Sequence, residues 1–306
     1  MKVEIQKIGA DIGRGYVKGF TQVDGVEKSC IFKSVVGIGR QMDFGNYSEP
    51  IYLSAKMGEE NFKSYFCGVL AEEEAHGPIR NSKDSKTTDT VKKLLIALLS
   101  KLAEKPVVNI MLGVPNREFT KKVLNEVIEC YKGKTIEITD HITGRSKNII
   151  INDISIFRES DAALLHQVTY NKPNNNKDNV MVNVGFRTME ISFYDNNLKY
   201  NDKKSKSEEL GNKTVLEYVK TYHPKRSLEE IDSSNRYDDL KKEGYLNLSE
   251  SIEQNVESFL VNMDDINLYA CGGVINNLSL SDSFIKAEDP QMITAKGLYL
   301  VATQRF

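Results

Sequence analysis

The apolar positions change period along the chain, and the changes mark its elements. Val3, Ile5 and Ile8 lead into "GADIGRGYVKGF", a strand running into a glycine turn. The stretch "YVKGFTQVDGVEKSCIFKSVV" predicts two strands joined at Asp24-Gly25, a pair that favours a tight hairpin turn. In "TVKKLLIALLSKL" (90–102) the apolar residues recur at helical spacing, with Thr90 as the cap. Pro106 follows, then "VVNIML", a short buried strand that stops at Gly113. An amphipathic helix is predicted for "NREFTKKVLNEVIECY", strands for "KTIEITDHI" and "KNIIINDISIF", and another helix for "ESDAALLHQVTY". The run "NKPNNNKDN" (171–179) is the clearest loop.

After that loop the pattern restarts. "VMVNVGFRTMEISFYDNNLKY" predicts a strand, a turn, and a hairpin through Asn196-Asn197. Helical stretches follow at 208–222, 226–233 and 248–263. "INLYACGGVIN" is a strand running into a glycine pair, and "MITAKGLYLVATQ" a terminal helix. Two mixed α/β halves therefore each open on a hairpin with a glycine turn, which predicts α/β layers in two domains. The charge-mixed runs "AEEEAH" (71–76) and "NDKKSKSEE" (201–209) read as exposed loops.

Composition narrows the function classes. With 306 residues, 40% apolar and 27% charged, the chain has material for about two soluble domains. A net charge of −2 argues against a whole-surface attraction to DNA or anionic membranes, though not against a local basic patch. Cys30, Cys67, Cys130 and Cys271 are far apart, and the four histidines lack ligand spacing, so neither a zinc site nor a disulfide framework is indicated. The cysteines, with no apolar run long enough to span a bilayer and no secretory h-region, make a cytoplasmic protein the simplest expectation.

The candidate chemistry lies in three glycine-bearing turns. In Asp11-Ile12-Gly13-Arg14-Gly15, glycine lets backbone N–H groups approach an anion closely. Asp11 suits a hydrated Mg²⁺ accompanying phosphates, and Lys18 a phosphate itself. Gly185 and Thr188 in "VNVGFRTMEI" offer a second phosphate turn, and the glycine pair in "LYACGGVIN" a surface for a flat base or ribose. An ordinary tight turn explains each of the three equally well on its own.

Together, in this order, they resemble the actin-like ATPase superfamily, and in particular the bacterial plasmid-segregation actins of the ParM type. "LGVPNREF" (112–119), "FKSVVGIGR" (32–40), "LGNKTVLEYV" (210–219) and, most specifically, "EDPQMITAKGLYLVATQ" (288–304) are similar to that family's segments. The resemblance implies an actin-like (ribonuclease H-like) fold of two domains, each a mixed sheet flanked by helices, with the nucleotide cleft between them. Residues 1–157 plus 290–306 would form domain I and 158–289 domain II. Asp11 would bind Mg²⁺ through water. Gly13, Arg14, Gly15 and Tyr16 would offer donors to phosphate, and Lys18 would neutralise its charge. Gly185, Phe186, Arg187 and Thr188 would form the second clamp. Gly211, Lys213, Gly272, Gly273 and Val274 would line base and ribose, and Glu159 would orient the attacking water.

The family's second clamp reads D-x-G-x-G-T. Here Asn183 replaces the acid, and Phe186 or Arg187 the second glycine. Asparagine can hold water but cannot act as a base, so the expectation is nucleotide binding with slow hydrolysis, Arg187 compensating at the γ-phosphate. Glu159-Ser160 likewise replaces the family's Gln-Pro, and an ordinary acid at a helix N-terminus accounts for it as well. The resemblance implies a polymerising ATPase (or GTPase) that segregates plasmid DNA through a ParR-type adaptor, with no direct DNA or membrane contact. A non-hydrolysing scaffold, a small-molecule kinase of the same superfamily and an Hsp70-like regulator are the alternatives.

Overall fold

The computed structural model describes residues 4–42, 47–83, 85–171 and 176–306. Val3 and the centre of the 171–179 loop lie outside them. The chain divides into two units, Met1–Ala162 with Thr294–Phe306, and Ala163–Ile293.

The first unit contains β1 (Gln6–Ile12), β2 (Tyr16–Val23), β3 (Val26–Lys33), β4 (Val35–Ile38), β5 (Ile51–Met57), β6 (Glu60–Cys67), α1 (Val69–Glu74), β7 (Ile79–Arg80), α2 (Asp89–Leu102), β8 (Val107–Val114), α3 (Lys121–Tyr131), β9 (Thr135–Asp140) and β10 (Ser146–Arg158). The boundary falls inside α4 (Glu159–Asn171). The second unit continues with β11 (Asp178–Val184), β12 (Met189–Tyr194), β13 (Lys206–Glu208), α5 (Asn212–Tyr222), α6 (Leu228–Ser233), α7 (Asp238–Phe259), β14 (Ile266–Cys271) and β15 (Ile285–Lys286). Helix α8 (Ile293–Arg305) returns the chain to the first unit.

The two sheets share one plan. The first runs β3-β2-β1-β8-β10 and then adds β9-β5-β6-β4-β7; the second runs β13-β12-β11-β14-β15. In each, a three-strand antiparallel meander is followed by two parallel additions. Parallel strands buried on both faces read as near-continuous apolar runs, and "VVNIMLGV" of β8 is such a run. In the second unit Val180, Val182, Val184 and Ile191 pack with Leu248, Ile252 and Val256 of α7. Residues of opposite parity, Met181, Tyr194, Tyr269 and Cys271, pack with Ala163 and Leu164 of α4. Each sheet is thus a layer whose glycine turn lies at the end of its first strand.

Five local expectations need correction, one being that the helix expected over 248–263 is α7, which runs from Asp238 to Phe259. Helix α2 is capped by Thr88, not Thr90, because Thr88 is extended and its side chain accepts from the Val91 N–H. Helix α3 begins after Thr120, its cap, rather than at Asn116. "AEEEAH" is mostly helix, not loop: Glu72 of α1 accepts from Lys33 at 2.7 Å and Arg80 at 2.9 Å. "NDKKSKSEE" contains β13, an edge strand on β12.

Candidate nucleotide site

Opposite partners meet across the first hairpin. The register pairs Asp11 with Lys18, and facing residues of an antiparallel pair share one side of the sheet. Lys18 Nζ lies 3.0 Å from Asp11 Oδ2, with the Asp11 residue 4% exposed. The Gly13 N–H donates to the Tyr16 carbonyl at 3.1 Å and closes the turn. The surrounding carbonyls are engaged from outside it. Gly15 O accepts from the Ser34 N–H at 2.9 Å, and Gly13 O from Asn81 Nδ2 at 3.2 Å. Ile12 O accepts from Lys86 Nζ at 3.0 Å. Three carbonyls of this segment are thus satisfied from outside it. Glu159 opens α4, and its Oε1 lies 3.5 Å from Lys86 Nζ.

Hairpin two repeats the construction. The Gly185 N–H donates to the Thr188 carbonyl at 2.9 Å, again three residues on. Its carbonyls cap a helix: Gly185 O accepts from the Asn212 N–H at 3.2 Å and Phe186 O from the Lys213 N–H at 2.7 Å. Those are two of the N–H groups that the first turn of α5 leaves without helical partners. Gly211 permits this approach, since a Cβ there would lie 2.6 Å from Gly185 O. The departures from the family pattern acquire reasons. Phe186 packs on Leu216, Val219, Ile231 and Tyr237, anchoring the turn where a glycine could not. Arg187 is ion-paired with Glu209. Asn183 faces Glu190, which is 8% exposed, so a carboxylate does sit on this hairpin, on the strand opposite the expected one.

The third turn follows β14. Gly272 has φ +117°, and a Cβ there would lie 2.2 Å from Val184 O, so only glycine fits. Its N–H donates to the Pro290 carbonyl at 2.9 Å. The "EDPQ" motif thereby fastens the glycine turn, and Asp289 O accepts from the Met292 and Ile293 N–H groups at the start of α8. Val274 is buried, while Lys213 is half exposed and pairs with Glu217 at 3.0 Å.

Asp11, Gly13, Arg14, Gly15, Tyr16, Lys18 and Glu159 thus belong to the first unit, and the remaining candidates to the second. Sequence reasoning missed Asn81, Lys86 and Glu190. Counting register outward from Gly185 finds Glu190; nothing in "NSKDSKTTD" separates Lys86 from a surface lysine. Among the described residues no group of three or more His, Cys, Asp or Glu could hold a metal ion. A hydrated Mg²⁺ carried by phosphates needs only one or two carboxylates, and Asp11 at the end of β1 fits that demand.

Residues 9–160 match the family model of the actin-like proteins' N-terminal domain. The chain has the actin-like fold. Its fold is shared, at low identity, with solved structures. A 15-stranded ParM filament from Clostridium botulinum superposes with TM-score 0.80 at 19% identity, covering 98% of this chain and 99% of that one. An archaeal actin homolog, Ta0583, in complex with ADP gives 0.77 at 18%, covering 98% and 100%. Bacillus thuringiensis ParM with ATP gives 0.70 at 14%, covering 98% of each. None of the curated proteins matches the sequence. Among the described residues, no helix is long and apolar enough to cross a membrane.

Proposed function

We propose that this protein binds ATP with Mg²⁺ and assembles into filaments whose turnover follows hydrolysis. The observation that carries the reading is the matched pair of hairpins. Each closes a glycine N–H onto the carbonyl three residues on, and each has two further carbonyls satisfied by donors elsewhere. Each such turn, taken by itself, suits a stretch of phosphate. Gly13, Arg14, Gly15 and Tyr16 would donate from one, and Gly185, Phe186, Arg187 and Thr188 from the other. Phe186 contributes only its N–H, because its ring and carbonyl are already engaged. Arg187 reaches phosphate only by leaving Glu209. Gly211, Lys213, Gly272, Gly273 and Val274 would border the nucleoside, and guanine is not excluded there.

Asp11 would hold Mg²⁺ through water; when bound, the ion would neutralise charge on the phosphates. Glu159 would orient the attacking water. Bound triphosphate would favour one conformation of the chain, whose surfaces repeat head to tail. Such a contact, if it does not close into a ring, builds a filament. ParM and Alp12 filament structures among the similar folds support this step. Plasmid segregation through a ParR-type, DNA-binding adaptor, in a bacterial cytoplasm, completes the proposal, the net charge of −2 agreeing with indirect DNA contact.

Electron microscopy of the purified protein with and without ATP is the test. Filaments dependent on ATP are expected, and absence of both filaments and nucleotide affinity refutes the reading. Asn183 favours one second reading, a scaffold that binds nucleotide without hydrolysing it. Phosphate release followed alongside light scattering separates the two, since a scaffold assembles with no release.

A further inference from the structure

Lys86 is a lysine buried where nothing in the sequence calls for one. Only 6% of it is exposed, in the segment that leads into α2. Burying an ammonium group costs several kcal/mol in lost hydration unless it is paired and hydrogen-bonded. Its Nζ has three donors. Among the described residues it gives one hydrogen bond, 3.0 Å to the Ile12 carbonyl, directly before the first glycine turn. Its second partner is the Glu159 carboxylate, at 3.5 Å. That is longer than the roughly 2.7–2.9 Å of a tight charge-assisted bond, so Glu159 is steered by the charge rather than locked to it. The position of Lys86 is fixed from behind. The hydroxyl of Tyr131, a fully buried residue at the end of α3, donates to the Lys86 carbonyl at 2.6 Å.

We propose that Lys86 is a positioning residue for hydrolysis: it spans the Ile12 carbonyl and the Glu159 carboxylate and holds Glu159 beside the first phosphate turn. This rests on the ATPase reading above. In the step concerned, a water oxygen bonds to the terminal phosphorus. The bond from that phosphorus to the bridging oxygen breaks, and its electron pair leaves with ADP. The water's proton goes to Glu159 and then to solvent. Lys86 touches neither water nor phosphate; it sets where the acceptor oxygen lies.

The test measures phosphate release and ATP affinity for the full chain and for Lys86→Met, Glu159→Gln and the double variant, with melting curves to verify folding. Positioned proton acceptors contribute roughly 100-fold or more. Lys86→Met is therefore expected to lower turnover at saturating ATP by about 100-fold, with affinity within about threefold of the parent. The double variant is expected to lose no more than the worse single variant, as for residues acting as one unit. Lys86→Gln keeps a donor for Ile12 but no charge. It should show the same loss, and it decides the matter if the methionine variant does not fold. Lys86→Arg should recover part of the rate. Turnover near that of the parent in Lys86→Gln or Glu159→Gln, additive losses, or a loss confined to affinity overturns the proposal. A parent protein that binds and hydrolyses ATP while the variants match it removes the Lys86 inference alone; a parent with no ATP affinity removes the underlying reading too.

Discussion

Replacing Asp11 by Asn tests whether one carboxylate serves both the fold and the nucleotide. The side chains of Asp11 and Lys18 are 6% and 12% exposed and 3.0 Å apart. Removing one member of a buried pair costs roughly 3–5 kcal/mol, because the other charge stays buried without its counter-ion. With a denaturant slope of about 3 kcal/mol per molar urea, the transition of the first unit should move down by about 1–1.7 M in Asp11→Asn. Pairing the change with Lys18→Met removes the stranded charge, and most of that stability should return. Nucleotide binding should not return, since the Mg²⁺ partner is still missing. The assay is urea unfolding by circular dichroism, with Mg-ATP affinity measured on the same preparations. An unshifted midpoint in Asp11→Asn refutes the buried-pair reasoning. Parental Mg-ATP affinity in the double variant refutes the metal role.

Three further outcomes are expected. Gly272→Ala places a methyl 2.2 Å from Val184 O at a backbone angle that L-residues avoid; strain and overpacking together predict a loss of about 2–6 kcal/mol, and a melting temperature equal to the parent's would contradict it. Asn183→Asp should raise phosphate release if the missing acid slows hydrolysis, although it sets a second carboxylate opposite Glu190; an unchanged rate dissociates position 183 from the chemistry. Burial pushes the Cys30 thiol up to about 12 and raises Cys67 as well. Because the thiolate is the reactive form, neither should alkylate in the folded protein near pH 8, where their thiolate fractions are minute. Labelling should begin only on unfolding or as pH climbs towards 12, and rapid labelling of both at pH 8 counts against this packing.

The elements legible in the sequence are those whose signals are local. Asp24-Gly25 announces its hairpin because both residues take positive φ, and they do so here. The apolar run of α2 announces a core helix because its leucines are buried nearly all round. Glu72 could not be read, since the partners that draw an acidic stretch into a helix, Lys33 and Arg80, are distant in sequence. Lys86 was invisible for the same reason: its meaning comes from Ile12 and Glu159, 74 and 73 positions away. Glu190 stood in plain sight, but the family pattern drew attention to Asn183 instead of to the strand across from it. The three glycine turns were legible as backbone chemistry; which carbonyls they hide was not.

The capping of α5 has a consequence for how a signal leaves the second hairpin. Because Gly185 and Phe186 supply the acceptors for Asn212 and Lys213, that loop cannot be reshaped without uncapping the helix, at about 1 kcal/mol per lost bond. Helix α5 lies against α6 and α7, so both helices pack on the element that the loop caps. The amide protons of Asn212 and Lys213 are consequently a natural gauge: their exchange with deuterium should quicken or slow whenever the loop is disturbed.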